Sequence, residues 1–228
     1  MKTDVCLQRL VQDELDWEPS VDAAMIGVRC HEGVVTLNGE LPVYSTKHAA
    51  EEVAKRVHGV LGVINRIEVI PGESHHRSDD ELAESAQRAI GWDAGVPEGC
   101  VQVSVENGWI TLEGTLERQF QRAAAERAVR HLHGARGVTN VIAVDPQCAP
   151  EDTVATIAAA LARHAALRRH PISVVADSHT VVLDGDVHSL QEREEAERVA
   201  WSAPGVRHVD NCLTVTPWGS GPSEEWGY

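Results

Sequence analysis

Long apolar runs are missing from this 228-residue chain. No stretch approaches the roughly 18 apolar residues that a membrane-spanning helix needs. Aromatic side chains are scarce: six Trp, two Tyr and one Phe. The cores must therefore be built from Val, Ile, Leu and Ala. Paired cysteines are absent as well. Cys6, Cys30, Cys100, Cys148 and Cys212 are scattered, with no C-x-x-C spacing. Such a set is a poor disulfide framework and a poor zinc site. It reads as free thiols in or near cores. Basic charge is in short supply, with 20 Lys and Arg against 35 Asp and Glu, for a net charge of −15 spread evenly along the chain. An acidic body repels phosphate backbones and anionic lipid surfaces at long range. Nucleic acid is therefore not an expected partner, and any lipid contact needs a local basic patch. The first residues, MKTDVCLQRL, lack the apolar segment of a secretory leader. The expected location is cytoplasmic, with peripheral membrane association left open.

What is present is repetition. VVTLNGEL (34–41), WITLEGTL (109–116) and TVVLDGDV (180–187) are β-type runs around Gly39, Gly114 and Gly185, which recur after 75 and then 71 residues. Trp17 aligns with Trp92, Glu51 with Glu126 and Glu197, and Asn65 with Asn140 and Asn211. This period exceeds that of solenoid units, so each repeat should be a small domain. The expected units are 1–72, 77–146 and 150–217, followed by a mobile tail at 218–228 that carries Trp226.

Within each repeat the periodicity changes in a fixed order. Leu7, Val11 and Leu15 lie four apart on one helix face, as do Leu82, Ala86 and Ile90, with Ile157 and Leu161 as counterparts. Ser78 before Asp79-Asp80-Glu81 is a helix start with acidic groups in the first turn. Pro150-Glu151-Asp152 reads the same way. Two alternating strands follow, joined by tight turns, of which Asn107-Gly108 has the strongest hairpin chemistry. A second helix buries Ala50, Val53, Ala54 and Val57 at 0, 3, 4, 7 spacing. Glu51–Lys55, Glu126–Arg130 and Glu194–Arg198 form i, i+4 pairs expected on its solvent side. The helix stops near Gly59, Gly134 and Gly205. A third strand with inward Val63, Ile67 and Val69 completes the unit. The predicted fold is α+β: three tandem α-β-β-α-β units, each a three-stranded sheet with two helices packed on one face. The other sheet face carries Val34, Ile64, Trp109, Val141, Val175 and Val182 by alternation. Units of about 70 residues have marginal cores, so these faces are expected to bury against neighbouring repeats.

TLNGEL (36–41) with GVINRIEV (62–69), TLEGTL (111–116) with GVTNVIAV (137–144), and VLDGDV (182–187) with HVDNCLTV (208–215) together resemble the BON domain. That family is named for bacterial osmotic-stress and nodulation proteins. The resemblance covers nearly the whole chain. It implies a non-enzymatic module, of a kind described as binding phospholipid or supporting the cell envelope under osmotic stress. It points towards soluble proteins with three tandem BON domains.

Candidate sites are few. Gly39, Gly114 and Gly185 carry no side chain for chemistry and read as backbone bends or positive φ between strand and second helix. Asn65, Asn140 and Asn211 fall on the inward strand face. There a buried amide needs partners, and a tie to the loop after the second helix is the expected structural role. The twelve His, including the pair His75-His76, show no H-x3-H spacing with a third ligand, so no metal or other cofactor is expected. One basic cluster stands against the acidic background, RHAALRRH (163–170). Its Arg163, Arg168, Arg169 and His170 are the candidate contact for an anion or lipid head group. No nucleophile–base pattern supports catalysis. The chain reads as a non-catalytic, stress- or envelope-associated binding protein with phospholipid as a candidate partner. The alternative is an intracellular protein–protein scaffold using sheet faces or helix grooves.

Overall fold

Helix α1 (Asp4–Trp17) starts where the Thr3 hydroxyl accepts from the Cys6 amide, and it buries Leu7, Val11 and Leu15. Its counterparts are α3 (Asp79–Trp92) and α5 (Thr153–Arg163). Ser78 caps α3 with a full capping box to Glu81, which satisfies amide groups that would otherwise be orphaned. These come from a computed structural model, which describes residues 3–72, 77–146 and 153–216. The expected helix start at Pro150-Glu151-Asp152, the His75-His76 pair, Cys148 and the tail with Trp226 lie outside the described residues.

Each first helix is followed by a hairpin: β1 (Ile26–His31) with β2 (Val34–Leu41), β4 (Val101–Glu106) with β5 (Trp109–Leu116), and β8 (Ser173–Asp177) with β9 (Thr180–Asp184), which continues as β10 (Asp186–Val187). Glu32-Gly33 and Asn107-Gly108 have positive φ at both residues, the backbone that matches the twist of paired strands. The first residue of the helix locks these turns. Asp4 accepts from the amides of Glu32 (3.0 Å) and Gly33 (3.3 Å), and Asp79 from those of Asn107 (2.8 Å) and Gly108 (2.9 Å). Those amide bonds hold the Asp4 carboxyl below its ordinary pKa.

The second helices are α2 (Tyr44–Arg56), α4 (Gln119–Arg130) and α6 (Leu190–Trp201). Each crosses back so that a third strand runs parallel to the second. These strands are β3 (Gly62–Val69), β6 (Gly137–Asn140) with β7 (Ala143–Val144), and β11 (His208–Asn211) with β12 (Thr214–Val215). The order α-β-β-α-β thus occurs three times, with the hairpin's second strand central in each sheet. Three separate cores lie between sheet and helices. The first holds Leu15, Leu37 and Ile67, the second Leu82, Ile110 and Leu112, and the third Ile157, Leu167 and Leu183. Each such side chain contributes about 1.5–3 kcal/mol by leaving water.

The repeats close a ring through aligned residues, and this corrects the expectation that sheet faces would meet. Tyr44 of repeat one packs against the core of repeat two. Arg136 of repeat two donates through Nε to the Val69 carbonyl at 3.3 Å. Its counterpart in repeat three, Arg207, pairs with Asp145 of repeat two at 2.7 Å. Repeat three returns to repeat one, where Leu190 and Val215 pack against the first core and Glu194 pairs with Lys55 at 2.8 Å. The outer sheet faces stay bare, with Ile64, Trp109, Val141 and Val175 between 44 % and 58 % exposed. Two of the expected solvent-side pairs, Glu51–Lys55 (3.1 Å) and Glu126–Arg130 (3.0 Å), form at the joints and are largely covered. The third does not form: Arg198 pairs with Glu195 instead.

Candidate functional site

The three glycines sit inside or at a break in the central strand, two residues before its end, rather than at the joint with the second helix. Gly39 lies opposite Ile26 and Gly114 opposite Val101, with φ of 151° and 146°. A Cβ on either would stand 2.1 Å from a backbone oxygen, that of Met25 or Cys100. On Gly185 it would stand 2.6 Å from the Pro171 oxygen. The backbone leading into the neighbouring strand approaches too closely for any side chain.

The three asparagines are tied to the second helix itself, not to the loop after it. Asn65 donates to the Lys47 carbonyl (3.1 Å) and to Glu51 (3.2 Å), and accepts from the Ile67 amide (3.1 Å). Asn140 repeats this with Arg122, Glu126 and Ile142, and Asn211 with Arg193, Glu197 and Leu213. Each amide spends its donors on the helix and its acceptor on the strand, which fixes the helix over the sheet. A ligand would have to displace these bonds.

The basic cluster divides. Arg163 ends α5, and Arg168 and Arg169 follow in the next turn; all three are exposed. His170 is turned inward. Its side chain is 5 % exposed, lies 3.3 Å from Glu192 and meets the His188 ring edge-on at 4.6 Å. The three arginines alone face outward. Among the described residues, Cys6, Cys100 and Cys212 are exposed and Cys30 is half-buried, its Sγ donating to Asp4 at 3.6 Å, so these thiols lie less within the cores than expected. Among the described residues, no group of three or more His, Cys, Asp or Glu is placed to hold a metal ion.

Two further residues share the place of Arg163. Trp17 and Trp92 align with it and end α1 and α3, at 83 % and 81 % exposure. Their match marks the repeat in the sequence. Their exposure was hidden there, since a helix-ending tryptophan more often folds back onto a core. Each indole presents a large amphipathic surface to a partner.

The family profile of the BON domain matches the sequence at residues 3–71, 78–146 and 151–217. The chain belongs to the BON domain family. Osmotically-inducible protein Y of Escherichia coli (strain K12) is 26 % identical over 125 residues, which cover 53 % of this chain and 62 % of that relative's length. Such membership points to a non-enzymatic family. Among solved structures, CdsD, a structural protein of the type III secretion system of Chlamydia trachomatis, aligns over 92 % of this chain and 91 % of that one, at 12 % identity and a TM-score of 0.26. The PrgH periplasmic domain aligns over 90 % and 98 %, at 14 % identity and a TM-score of 0.21. Scores this low carry no argument.

Charge between BON units is concentrated at the joints. Burial alone would lower the Lys55 pKa, but hydrogen bonds to Glu194 and Glu52 and the charges of Glu194 and Glu51 outweigh it and hold the ammonium above its ordinary range. Burial and the nearby Arg130 push the His48 pKa down. Burial and the Glu126 charge push Tyr44 up. These groups hold one BON unit against the next and face no open site.

Proposed function

We propose that this chain is a non-catalytic binding protein, built of BON units at 1–72, 77–146 and 150–217, that docks peripherally on anionic phospholipid surfaces in the setting of envelope or osmotic stress. The observation that carries the reading is the set of three aligned helix ends. Trp17 and Trp92 stand almost fully in solvent, and the third position is Arg163, followed by the exposed Arg168 and Arg169. In a ring closed by equivalent contacts, equivalent positions lie at one level around its axis. Indole rings favour the boundary between water and lipid. Each arginine near an anionic surface adds roughly 1 kcal/mol. The acidic body opposes the approach, so contact depends on this local patch. Among the described residues no helix is long and apolar enough to cross a membrane, which fits a peripheral mode.

Vesicle flotation tests this. The full chain should float with phosphatidylglycerol vesicles and not with phosphatidylcholine vesicles. Binding should fall sharply in a Trp17→Ala, Trp92→Ala variant and in an Arg168→Glu, Arg169→Glu variant. Equal binding by both variants would exclude this face. Absence of flotation altogether would favour the protein-scaffold reading, which rests on the bare sheet faces around Ile64, Trp109, Val141 and Val175.

A further inference from the structure

The outer sheet face of unit two is built differently from the other two. It carries Trp109 at the start of β5, 48 % exposed. The indole is fixed in place. Its Nε1 donates to the Thr139 hydroxyl at 2.7 Å. A Cβ on Gly137 would stand 2.5, 2.6 and 2.7 Å from Cζ3, Cη2 and Cε3 of the ring. Distances this even to three neighbouring ring atoms put the glycine beneath the face of the ring, not at its edge. With one face seated on the strand and its N–H already bonded, the indole turns its other face to solvent. Units one and three have no such platform: the aligned pairs are Val34 with Gly62 and Thr180 with His208.

The side chains that surround the ring on this face are neutral or acidic. Gln102, Ser104 and Glu106 point outward from β4, and Thr111 and Glu113 from β5. Glu106 is directly opposite Trp109 in the register. Glu113 lies four residues further along, about 13 Å at the rise of a strand. Neither carboxylate has an ion pair among the described residues. Where unit one carries Arg29 and Arg66 on its outer face, unit two has Ser104 and Val141. Arg136 stands at the rim and spends its Nε on the Val69 carbonyl of unit one. The open π face of an indole attracts cations, guanidinium above all, and a carboxylate beside it can hold the same guanidinium through paired hydrogen bonds.

We propose that the outer sheet face of unit two binds an extended, arginine-bearing segment of a partner protein. One guanidinium lies over the Trp109 ring within reach of Glu106. A second, four residues on and therefore on the same side of an extended chain, meets Glu113. Planar guanidinium suits both tasks, stacking and carboxylate bridging, and the acidic body of the chain steers such a segment in. The surface lies on the side of the sheet away from the helices and does not rest on the membrane reading. The probe is a capped peptide with two arginines four residues apart among Ser, Thr and Gly. Titrated into the isotope-labelled full chain, it should shift the Trp109 indole N–H signal saturably; that signal is assigned by its loss in Trp109→Leu. Replacing both arginines by citrulline keeps their shape, removes their charge and should weaken binding by about fivefold or more. Glu106→Gln combined with Glu113→Gln should weaken it by about threefold or more, and both positions are exposed, so the fold is kept. Trp109→Leu, followed through backbone amides of β5, should weaken it by about twofold to fivefold. Flotation with anionic vesicles should be unchanged in Trp109→Leu, which separates this face from the helix ends. Equal affinity for the citrulline peptide, or unchanged affinity in the double glutamine variant, would overturn the proposal. So would a saturable shift with chitohexaose, a neutral oligosaccharide, and none with the arginine peptide, which would make the platform a seat for sugar rings.

Discussion

Gly39 has no room for a side chain, and the obstacle is backbone. Its φ of 151° and the Met25 oxygen 2.1 Å from an added Cβ leave nothing flexible to yield. Gly39→Ala should therefore cost about 3 kcal/mol, read as a lower midpoint in urea unfolding. Gly72 is the control, since an added Cβ there meets nothing within 4 Å; Gly72→Ala should change stability by no more than about 0.5 kcal/mol. Asn140 carries a second prediction. Its Nδ2 bridges the Arg122 carbonyl and the Glu126 carboxylate. Asn140→Asp replaces that donor with a like charge and should cost about 2 kcal/mol at neutral pH. Protonation in acid should recover part of the loss, and so should adding Glu126→Gln, which restores a donor. Unfolding free energies of the single and double variants at neutral and acid pH would show both effects.

At the scale of elements, α2 joins two units through its first turns. His48 lies there among Arg130, Glu52, Glu51 and Lys55, and burial with the Arg130 charge depresses its pKa. An unfolded histidine titrates near about 6.5, so the unfolded chain binds this proton more readily than the folded one. The stability is full above that pH and is lost as pH falls from there through the depressed folded pKa. Calorimetry should show the melting temperature falling between about pH 7.5 and about pH 5.5, with a shallower slope in His48→Gln. The elements themselves were legible in the sequence, because a change from period 3.6 to period 2 survives in three copies. The turn chemistry of Glu32-Gly33 and Asn107-Gly108 was equally plain. The asparagine ties were half legible. Alternation placed Asn65 inward, but no local pattern tells whether an amide reaches a loop or a helix 18 residues away. The joints were not legible. Tyr44, Gln119 and Leu190 share a position and no chemistry, and what Tyr44 and Leu190 touch lies in another unit.

For the whole molecule, ring closure explains how cores of this size hold together with bare sheet faces. Unit one is covered from outside by Leu190 and Val215 of unit three and clasped by Glu194 on Lys55. Leu190 is 8 % exposed, and its burial contributes about 2 kcal/mol. Leu190→Gln places at this joint the residue that unit two carries at the aligned position, Gln119. The loss should appear mainly in unit one, since that is the core Leu190 covers. For a domain of this length, about 2 kcal/mol corresponds to a fall on the order of 10 °C in melting temperature. Hydrogen exchange gives the spatial readout. Amides of α1 and β2 should lose protection in Leu190→Gln, while those of α3 and β5 should keep theirs, because unit two does not touch the altered residue. Loss spread equally over all three units would mean the ring unfolds as one cooperative body. Loss confined to α6 would mean that closure does not support unit one, and its stability would have to come from its own core alone.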